Sequence, residues 1–254
     1  MRVFITGASS GIGAALALEY ARRGATLGLL ARRRDVLEKL VATLPNPSLH
    51  QLYAVDVCDH AALAGAAHSF IQATGGADIV IACAGVSHGT LTEHPADLPV
   101  FEAIIATNLT ATAATFSPFI ATMKTQASPC RLVGIGSVAG IRGLPGAEAY
   151  SASKAAVISY CESLRLELKP HGIEVVTISP GYIATPMTEK NRYRMPFLMS
   201  ADRFAAKAAN VIARGSSYAV IPWQMGVVAK LLRALPNWLY DVLFAKAPHK
   251  ARKP

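Results

Sequence analysis

The sequence predicts an α/β fold: a single-domain, doubly wound parallel sheet of about seven strands with helices on both faces, plus a helical C-terminal extension. Short apolar runs alternate with helical stretches over short links, which favours a parallel sheet covered on both faces. Glycine-rich and polar motifs directly follow these runs, at the strands' carboxyl ends, where such sheets bind ligands. The 254 residues are 52% apolar and 16% charged, so a large core is easy to build and a disordered chain is excluded.

The predicted elements alternate from the start of the chain. Strands are expected at residues 3–6, 25–31, 49–55, 78–82, 131–136, 173–179 and 218–221. Helices are expected at residues 14–23, 35–44, 61–73, 100–124, 148–169 and 201–214. Because no linker or change of composition precedes about residue 223, we predict one domain over residues 1–222 and an extension over residues 223–254.

Residues 186–200 lie between the sixth strand and the next helix and have no regular pattern. We expect them to form a mobile lid. Apolar side chains of this lid could face a substrate: Met187, Tyr193, Met195, Phe197 and Met199.

A glycine-rich turn joins the first strand to the first helix. It contains Gly7, Gly11 and Gly13, with Ser9, Ser10 and Ile12 between them. Backbone N–H groups and the helix dipole make such a turn an anion site, and glycine lets a pyrophosphate approach closely. A single glycine would indicate an ordinary strand–helix turn, but three at these spacings favour a dinucleotide site.

The residues after the second strand suggest which dinucleotide is bound. An acidic side chain there holds the ribose hydroxyls of NAD, whereas a basic one suits the 2′-phosphate of NADP. Here Arg32, Arg33 and Arg34 follow Ala31, and no carboxylate occurs before Asp35. Because a guanidinium pairs well with phosphate, we favour NADP(H), with NAD(H) as the alternative. Arg34 is expected to start the next helix in solvent.

Tyr150 and Lys154 lie four residues apart on a predicted helix and therefore share one face. A phenol ordinarily keeps its proton up to about pH 10. A neighbouring ammonium is expected to lower that pKa, and the pair can then exchange a proton near neutral pH. Carbonyl reduction and alcohol oxidation both need such a proton transfer. This spacing alone is weak evidence, because it is also common on surface helices.

Taken together, the motifs resemble those of the short-chain dehydrogenase/reductase family, in its single-domain branch of about 250 residues. Residues 6–13 look like the family's Thr-Gly-x-x-x-Gly-x-Gly cofactor loop, and the resemblance extends to about residue 222. The catalytic tetrad is matched in order and spacing by Asn108, Ser137, Tyr150 and Lys154. The remaining cofactor positions that the resemblance and the arginine cluster indicate are Arg32, Arg33, Asp56, Val57, Gly85, Pro180, Gly181, Ile183 and Thr185.

The resemblance implies a Rossmann-type enzyme that transfers hydride between a nicotinamide and a carbonyl/alcohol pair. Tyr150 would act as general acid/base, and Lys154 would lower its pKa and hold the nicotinamide ribose. Ser137 would polarise the substrate oxygen, and Asn108 would hold a water that relays protons from Lys154. The family also implies a homodimer or homotetramer. Many members carry Asn-Asn after the fourth strand, whereas this chain has Ala82 and Cys83, which puts a local hydrogen-bond arrangement in doubt.

Two other classes of function were compared with this hypothesis. A non-catalytic NADP-binding sensor or scaffold would be expected to lose Tyr150 or Lys154, and both are present. A sugar-nucleotide epimerase is disfavoured by the glycine spacing and by the lack of a large C-terminal substrate domain.

Charge and motif content argue against several partners. The net charge of +9 is partly local, in Arg32–34 and in a C-terminal cluster that comprises Lys246, Lys250, Arg252 and Lys253. No nucleic-acid-reading module accompanies these residues, so we predict no nucleic acid. His88, His94 and His171 lack metal-ligand spacing, so we predict no metal. Dispersed cysteines and the lack of a signal peptide or apolar span favour the cytoplasm.

The C-terminal extension has an amphipathic pattern. Apolar residues recur at three- and four-residue steps over residues 224–246: Val228, Leu231, Leu232, Leu235, Leu239 and Val242. Pro236 should divide this stretch into two helices, and Trp238, Tyr240 and Phe244 add aromatic surface. The apolar stripe is expected to pack on the enzyme's own substrate side or on a dimer partner. The alternative is a peripheral contact with the inner membrane surface, with basic residues facing anionic lipid and a lipophilic substrate.

Overall fold

A parallel sheet forms the centre of the computed structural model, which describes residues 1–189, 191, 193–245, 247 and 250–252. The strands within these residues are β1 (Arg2–Thr6), β2 (Thr26–Ala31), β3 (Gln51–Ala54), β4 (Ile79–Ala82), β5 (Cys130–Ile135), β6 (Ile173–Pro180), β7 (Ile183–Ala184), β8 (Met199–Ser200) and β9 (Tyr218–Ile221). Seven of these described strands form the main sheet in the order β3-β2-β1-β4-β5-β6-β9, and β7 pairs with β8. The strand order reverses between β1 and β4, which opens a crevice at their carboxyl ends.

Helices cover both faces of the sheet, as predicted. In chain order they are α1 (Gly11–Arg22), α2 (Arg34–Thr43), α3 (His60–Thr74), α4 (Leu98–Ile105), α5 (Ala111–Met123), α6 (Glu148–Leu168), α7 (Ala201–Ala213), α8 (Trp223–Ala234) and α9 (Asn237–Phe244). Helices α1, α2 and α7 pack on one face, and α3, α5 and α6 pack on the other. The predicted ends mostly differ from the observed ends by a few residues.

Strand β1 shows why the apolar runs form this sheet. It pairs with β2 on one side and β4 on the other, with Val3 opposite both Leu27 and Ile79. Because side chains alternate along a strand, Val3 and Ile5 join the core beneath α1 and α7, whereas Phe4 points to the opposite face. A strand buried on both faces needs apolar residues at its centre, and Val3, Phe4 and Ile5 supply them here.

The long helix expected over residues 100–124 is not continuous. A π-helical turn, Ala106–Thr110, separates α4 from α5 and carries Asn108. The Asn108 amide donates to the Val86 carbonyl at 3.0 Å, and its Oδ1 accepts from the Val86 N–H at 2.8 Å. Single π-helical turns within α-helices occur frequently at functional sites. The periodicity of the sequence could not predict this one, because it accompanies contacts with the loop after β4.

The same segment meets the length and composition criteria for a membrane-crossing helix. Pro95–Met123 has a mean hydropathy of 1.3, and 39% of its most apolar window is buried in the protein. Phe116 and Phe119 of α5 are fully buried against the sheet. Because these side chains are part of the core, we interpret the segment as a core helix.

The C-terminal extension forms α8 and α9, and they are separated at Pro236 as predicted. Arg142 fixes the turn between them: it donates to the carbonyls of Leu232 (3.1 Å) and Leu235 (2.9 Å) and stacks on Tyr240, 4.1 Å from the ring centre. Tyr240 donates to the Gly143 carbonyl at 2.5 Å. The division of the chain into units 1–222 and 223–254 stays a prediction.

The apolar stripe predicted in this extension is only partly buried, with three of its six residues half-buried and three exposed. Met225, Gly226 and Ala229 pack against the rest of the protein, whereas Leu231 and Val242 of the stripe are exposed. Arg142 bonds to the last carbonyl groups of α8 and holds the end of that helix in place. The exposed apolar patch comprises Trp223, Val227, Val228, Leu231, Trp238, Val242 and Leu243.

Candidate active site

A cleft of about 490 Å³ lies at the carboxyl ends of the strands. Every residue that the sequence predicted to bind cofactor lines this cleft, as do Ser137, Tyr150 and Lys154. Asn108 is buried behind it. The structure thus brings together the predicted side chains from six separate connections, and their roles stay predictions.

The glycine loop forms one end of the cleft. Gly7 has a positive φ of 70°, and a side chain at Gly13 would overlap the Gly7 carbonyl, so the turn can close only without side chains. Helix α1 begins at Gly11; the Ser10 side chain does not cap it, and its first turn has no acidic residue. Its first N–H groups therefore remain available for an anion such as a diphosphate.

The loop after β4 is held without the asparagines that many relatives carry. The Thr6 hydroxyl accepts from the backbone N–H groups of Cys83 (3.2 Å) and Ala84 (3.4 Å). Thr6 lies at the end of β1, so this contact joins the two central strands at the floor of the cleft. Burial raises the pKa of the Cys83 thiol to about 12, which leaves it an unreactive neutral group.

The arginine cluster lies beside the glycine loop. Arg33 donates to the Ser9 hydroxyl at 3.4 Å, and Arg32 lies 3.8 Å from the Asp56 carboxylate. Both are exposed and line the cleft. Arg34 instead lies in the first turn of α2 and pairs with Glu38 at 3.6 Å. Two guanidinium groups next to the glycine loop fit a phosphate on an adenosine ribose.

Ser137, Tyr150 and Lys154 form the wall next to β5. Ser137 follows that strand, and its Oγ accepts from the Ala139 N–H at 3.1 Å. Tyr150 and Lys154 lie one turn apart on α6, and Lys154 Nζ is 5.9 Å from the centre of the Tyr150 ring. Lys154 is buried, and its ammonium donates to the Ile135 carbonyl at 2.8 Å.

The predicted net lowering of the Tyr150 pKa is wrong: the pKa is raised, because burial outweighs the contacts that favour the phenolate. Burial raises the pKa of Tyr150, and the hydrogen bond with Ser137 offsets that rise only in part. Burial also lowers the pKa of Lys154 to about 8. The Lys154 ammonium is directed at a backbone carbonyl. Because its own pKa is raised, Tyr150 is a neutral phenol at neutral pH.

Asn108 uses its side chain for protein contacts. Besides its two bonds with Val86, it donates to the Ser153 hydroxyl at 2.9 Å. Both N–H groups of its amide are therefore engaged, and only the second lone pair of Oδ1 remains for a water.

The predicted lid contributes less to the cleft than its composition suggested. Met187 lines the cleft, and Tyr193 packs edge-on against Tyr182. Phe197 is exposed, whereas Met199 belongs to the main core through β8. The burial of Met199 depends on the pairing of β8 with β7. A local sequence pattern does not indicate that pairing.

Several cleft residues were missed by sequence reasoning. Val86, Thr107 and Thr188 line it, and no local pattern distinguishes them. Lys250 was noted only as part of a basic cluster, yet its Nζ lies 5.6 Å from the centre of the Tyr150 ring. Lys246 and Lys253 of that cluster lie outside the described residues. Within the described part of the chain, no group of three His, Cys, Asp or Glu side chains could hold a metal.

Comparisons with known proteins show what the chain as a whole is similar to. A family model described as short chain dehydrogenase matches residues 1–195. An uncharacterized oxidoreductase of Myxococcus xanthus is 37% identical over 239 residues, which cover 93% of each chain. A short-chain dehydrogenase from Streptomyces avermitilis has the same fold, with a TM-score of 0.80, 23% identity and coverage of 97% of this chain and 98% of its own. A 3-ketoacyl-(acyl-carrier-protein) reductase from Brucella melitensis, complexed with NADH, has a TM-score of 0.77 and 24% identity. The match covers 86% of this chain and 94% of the reductase chain.

Proposed function

The chain belongs to the short-chain dehydrogenase family, and from this premise we propose that it is an NADP(H)-dependent oxidoreductase acting on a carbonyl/alcohol pair. The observation that carries the proposal is that Ser137, Tyr150 and Lys154 face the same cleft as the glycine loop. A neutral acid, a hydroxyl donor and a buried cation thus surround one place where a carbonyl oxygen can lie. When bound there, the nicotinamide supplies or accepts the hydride.

In the direction of reduction, Tyr150 gives its phenolic proton to the substrate oxygen as the carbon gains hydride. The raised pKa of Tyr150 keeps this proton in place until the oxygen becomes basic. Ser137 donates its hydroxyl proton to the same oxygen in a hydrogen bond and stabilises the developing negative charge. Alcohol oxidation requires the reverse transfer, from the alcohol to the Tyr150 phenolate.

Lys154 stabilises the phenolate that remains after the proton has moved. Its ammonium is buried close to Tyr150, so little solvent screens the attraction. It would also hold the ribose hydroxyls of the nicotinamide. A water on the remaining lone pair of Asn108 Oδ1 would link Lys154 to solvent: Asn108 Oδ1 and Lys154 Nζ lie next to the same face of Gly85.

The rate of carbonyl reduction should depend on the charge of Lys154. Because its pKa is lowered to about 8, the ammonium is present below that pH and is lost as pH rises through it. We expect kcat/KM for reduction to be level near neutral pH and to fall about tenfold per pH unit above about 8. Initial rates at fixed, saturating reduced cofactor would measure this. A rate that rises through the same range would contradict the role given to Lys154.

The choice of NADP(H) rests on Arg32 and Arg33. Both line the cleft, and the strand that precedes them offers no carboxylate to hold a ribose diol. Asp56, the acid among the described residues that line the cleft, lies 3.8 Å from Arg32 and can pair with it.

A screen of aldehydes and ketones, followed by absorbance of the reduced nicotinamide, tests the proposed activity. Cofactor oxidation that depends on both carbonyl compound and protein supports the enzyme. Tight NADPH binding with no turnover across the screen would favour the non-catalytic sensor or scaffold. The apolar Met187 in the cleft supports a substrate with an apolar portion.

We further propose that the exposed patch on α8 and α9 contacts the inner surface of an anionic membrane. Trp238 is 69% exposed and Leu231 64%, and basic Lys230 and Arg233 lie on the same helix as Leu231. The four cysteines are free thiols, which supports a cytoplasmic location. The same patch could bury against a second copy in the homodimer or homotetramer that the family implies.

Replacing Leu231 and Trp238 with aspartate should abolish co-flotation with phosphatidylserine vesicles, because it removes apolar area and adds negative charge. Leu166→Asp, at an equally exposed leucine on α6, is the control and should leave flotation unchanged. Wild-type protein that stays unbound to these vesicles would refute the membrane contact. Sedimentation of both proteins would show whether the patch serves self-association instead.

A further inference from the structure

The described part of the C-terminal tail, residues 250–252, returns to the active site and pairs with the loop after β4. The Gly89 N–H donates to the Ala251 carbonyl at 2.9 Å, and Gly89 forms a parallel bridge with Arg252. A side chain at position 89 would overlap the Lys250 carbonyl. Gly89 therefore allows a backbone approach that any other residue would prevent.

An ion pair fixes this tail in place. Arg252 donates two hydrogen bonds to Asp97, at 2.8 and 3.0 Å. Asp97 is only 4% exposed and also accepts from the Leu91 N–H at 2.9 Å. A two-bonded guanidinium–carboxylate pair fixes direction as well as distance, so Arg252 sets the position of the residues before it.

Lys250 is the residue that this anchor brings to the site. Its Nζ donates to the Ser87 hydroxyl at 2.7 Å and lies 5.6 Å from the centre of the Tyr150 ring. Burial lowers its pKa, and no carboxylate pairs with it among the described residues. Among residues 1–189, 191, 193–245, 247 and 250–252 its one hydrogen-bond partner is the neutral Ser87 hydroxyl, so within them two of its three N–H groups remain for another acceptor and its charge is under-compensated.

We propose that Lys250 is a specificity-determining residue that binds an anionic group, such as a carboxylate, on the carbonyl substrate. The proposal rests on the proposed function, because it takes the substrate oxygen to lie at Tyr150. An anion at Lys250 would replace solvent around a buried charge, and a hydrogen bond between two charged groups is stronger than one between neutral groups. Asp97 does not compete for Lys250, because Arg252 occupies both of its oxygens.

Matched pairs of keto acid and methyl ester test this proposal: pyruvate, acetoacetate and levulinate, each against its ester. The measured quantity is the ratio of kcat/KM for acid over ester. Wild-type enzyme should prefer at least one acid, and Lys250→Met should lower that ratio by about ten- to a hundredfold, the usual range for a hydrogen bond between charged groups. Lys207→Met, on the exposed surface of α7, is the control and should not change the ratio.

Two further variants separate recognition from folding. Gly89→Ala and Arg252→Met leave Lys250 in the sequence but displace the tail, so both should lower the ratio toward that of Lys250→Met. The rise in Tm that each acid produces in the cofactor-loaded enzyme gives a readout without turnover, and Lys250→Met should reduce it.

The outcomes distinguish the two proposals. Turnover of the esters with equal ratios in wild type and Lys250→Met would overturn the role of Lys250 and leave the proposed function intact. If Lys250→Met turned over acids and esters alike faster than the wild type, the tail would only obstruct the site. That result would also overturn the proposed role of Lys250. Failure to turn over any carbonyl compound would overturn both.

Discussion

Tyr150→Phe should lower the rate of carbonyl reduction about a thousandfold while cofactor binding and folding persist. The variant removes one oxygen, and with it the only neutral acid that lies between Ser137 and Lys154 in the described cleft. General acid catalysis by a positioned side chain contributes about 10²- to 10⁴-fold, which sets the expected size. Single-turnover rates with preloaded reduced cofactor would measure it, because they exclude effects on cofactor release.

The matched control for this variant is Tyr160→Phe, on the same helix. Tyr160 stacks on Phe116, with ring centres 6.4 Å apart, so its ring lies in the core face of α6 and away from the cleft. It should retain wild-type turnover. Equal rates in Tyr150→Phe and Tyr160→Phe would show that the proton comes from another group.

Replacing Arg32 and Arg33 together with serine should weaken NADPH binding about a hundredfold or more and leave NADH binding nearly unchanged. Each guanidinium that bonds to the 2′-phosphate should contribute about 1.5–3 kcal/mol, as hydrogen bonds to charged groups do. NADH lacks this phosphate, so the loss should be selective. Calorimetric titration of both cofactors gives the two dissociation constants.

Arg34→Ser is the control for the arginine pair. Arg34 has the same charge and lies next to Arg33, but it pairs with Glu38 on the surface of α2. It should leave the preference between the cofactors intact. If all three replacements weakened NADPH and NADH equally, the cluster would act through net charge alone and the NADP(H) assignment would fail.

The sheet and its helices could be predicted because local composition determines them. The centre of strand β1, residues 3–5, is apolar and buried on both faces, and three glycines mark the turn that follows the strand. The place of Ser137 followed from the same logic, because residues after parallel strands meet at one edge, whereas Tyr150 and Lys154 were predicted from their helical spacing and the family resemblance.

What the sequence did not predict depends on contacts between distant segments. The π-helical turn at Asn108 accompanies bonds to Val86 and Ser153. The pKa of Tyr150 is set by how deeply the fold buries it, and a four-residue spacing to Lys154 does not report burial.

The C-terminal segments show the same limit. The end of α8 is held by Arg142, which lies about ninety residues earlier in the chain. Lys250 reaches Tyr150 only because Asp97 and Gly89 hold the tail. The basic residues of the tail can be read from the sequence, but their positions in the protein depend on the fold.

The most direct test of the central claim is a deuterium transfer experiment. Wild-type enzyme would be incubated with a carbonyl substrate and NADPH that carries deuterium at both hydrogen positions of the reactive carbon of the nicotinamide ring, and the alcohol product would be analysed by mass spectrometry. If Tyr150 protonates the oxygen while hydride reaches the carbon in this cleft, the product gains one deuterium on the carbinol carbon and Tyr150→Phe forms almost none. An alcohol formed without deuterium, or formed equally by Tyr150→Phe, would contradict the account.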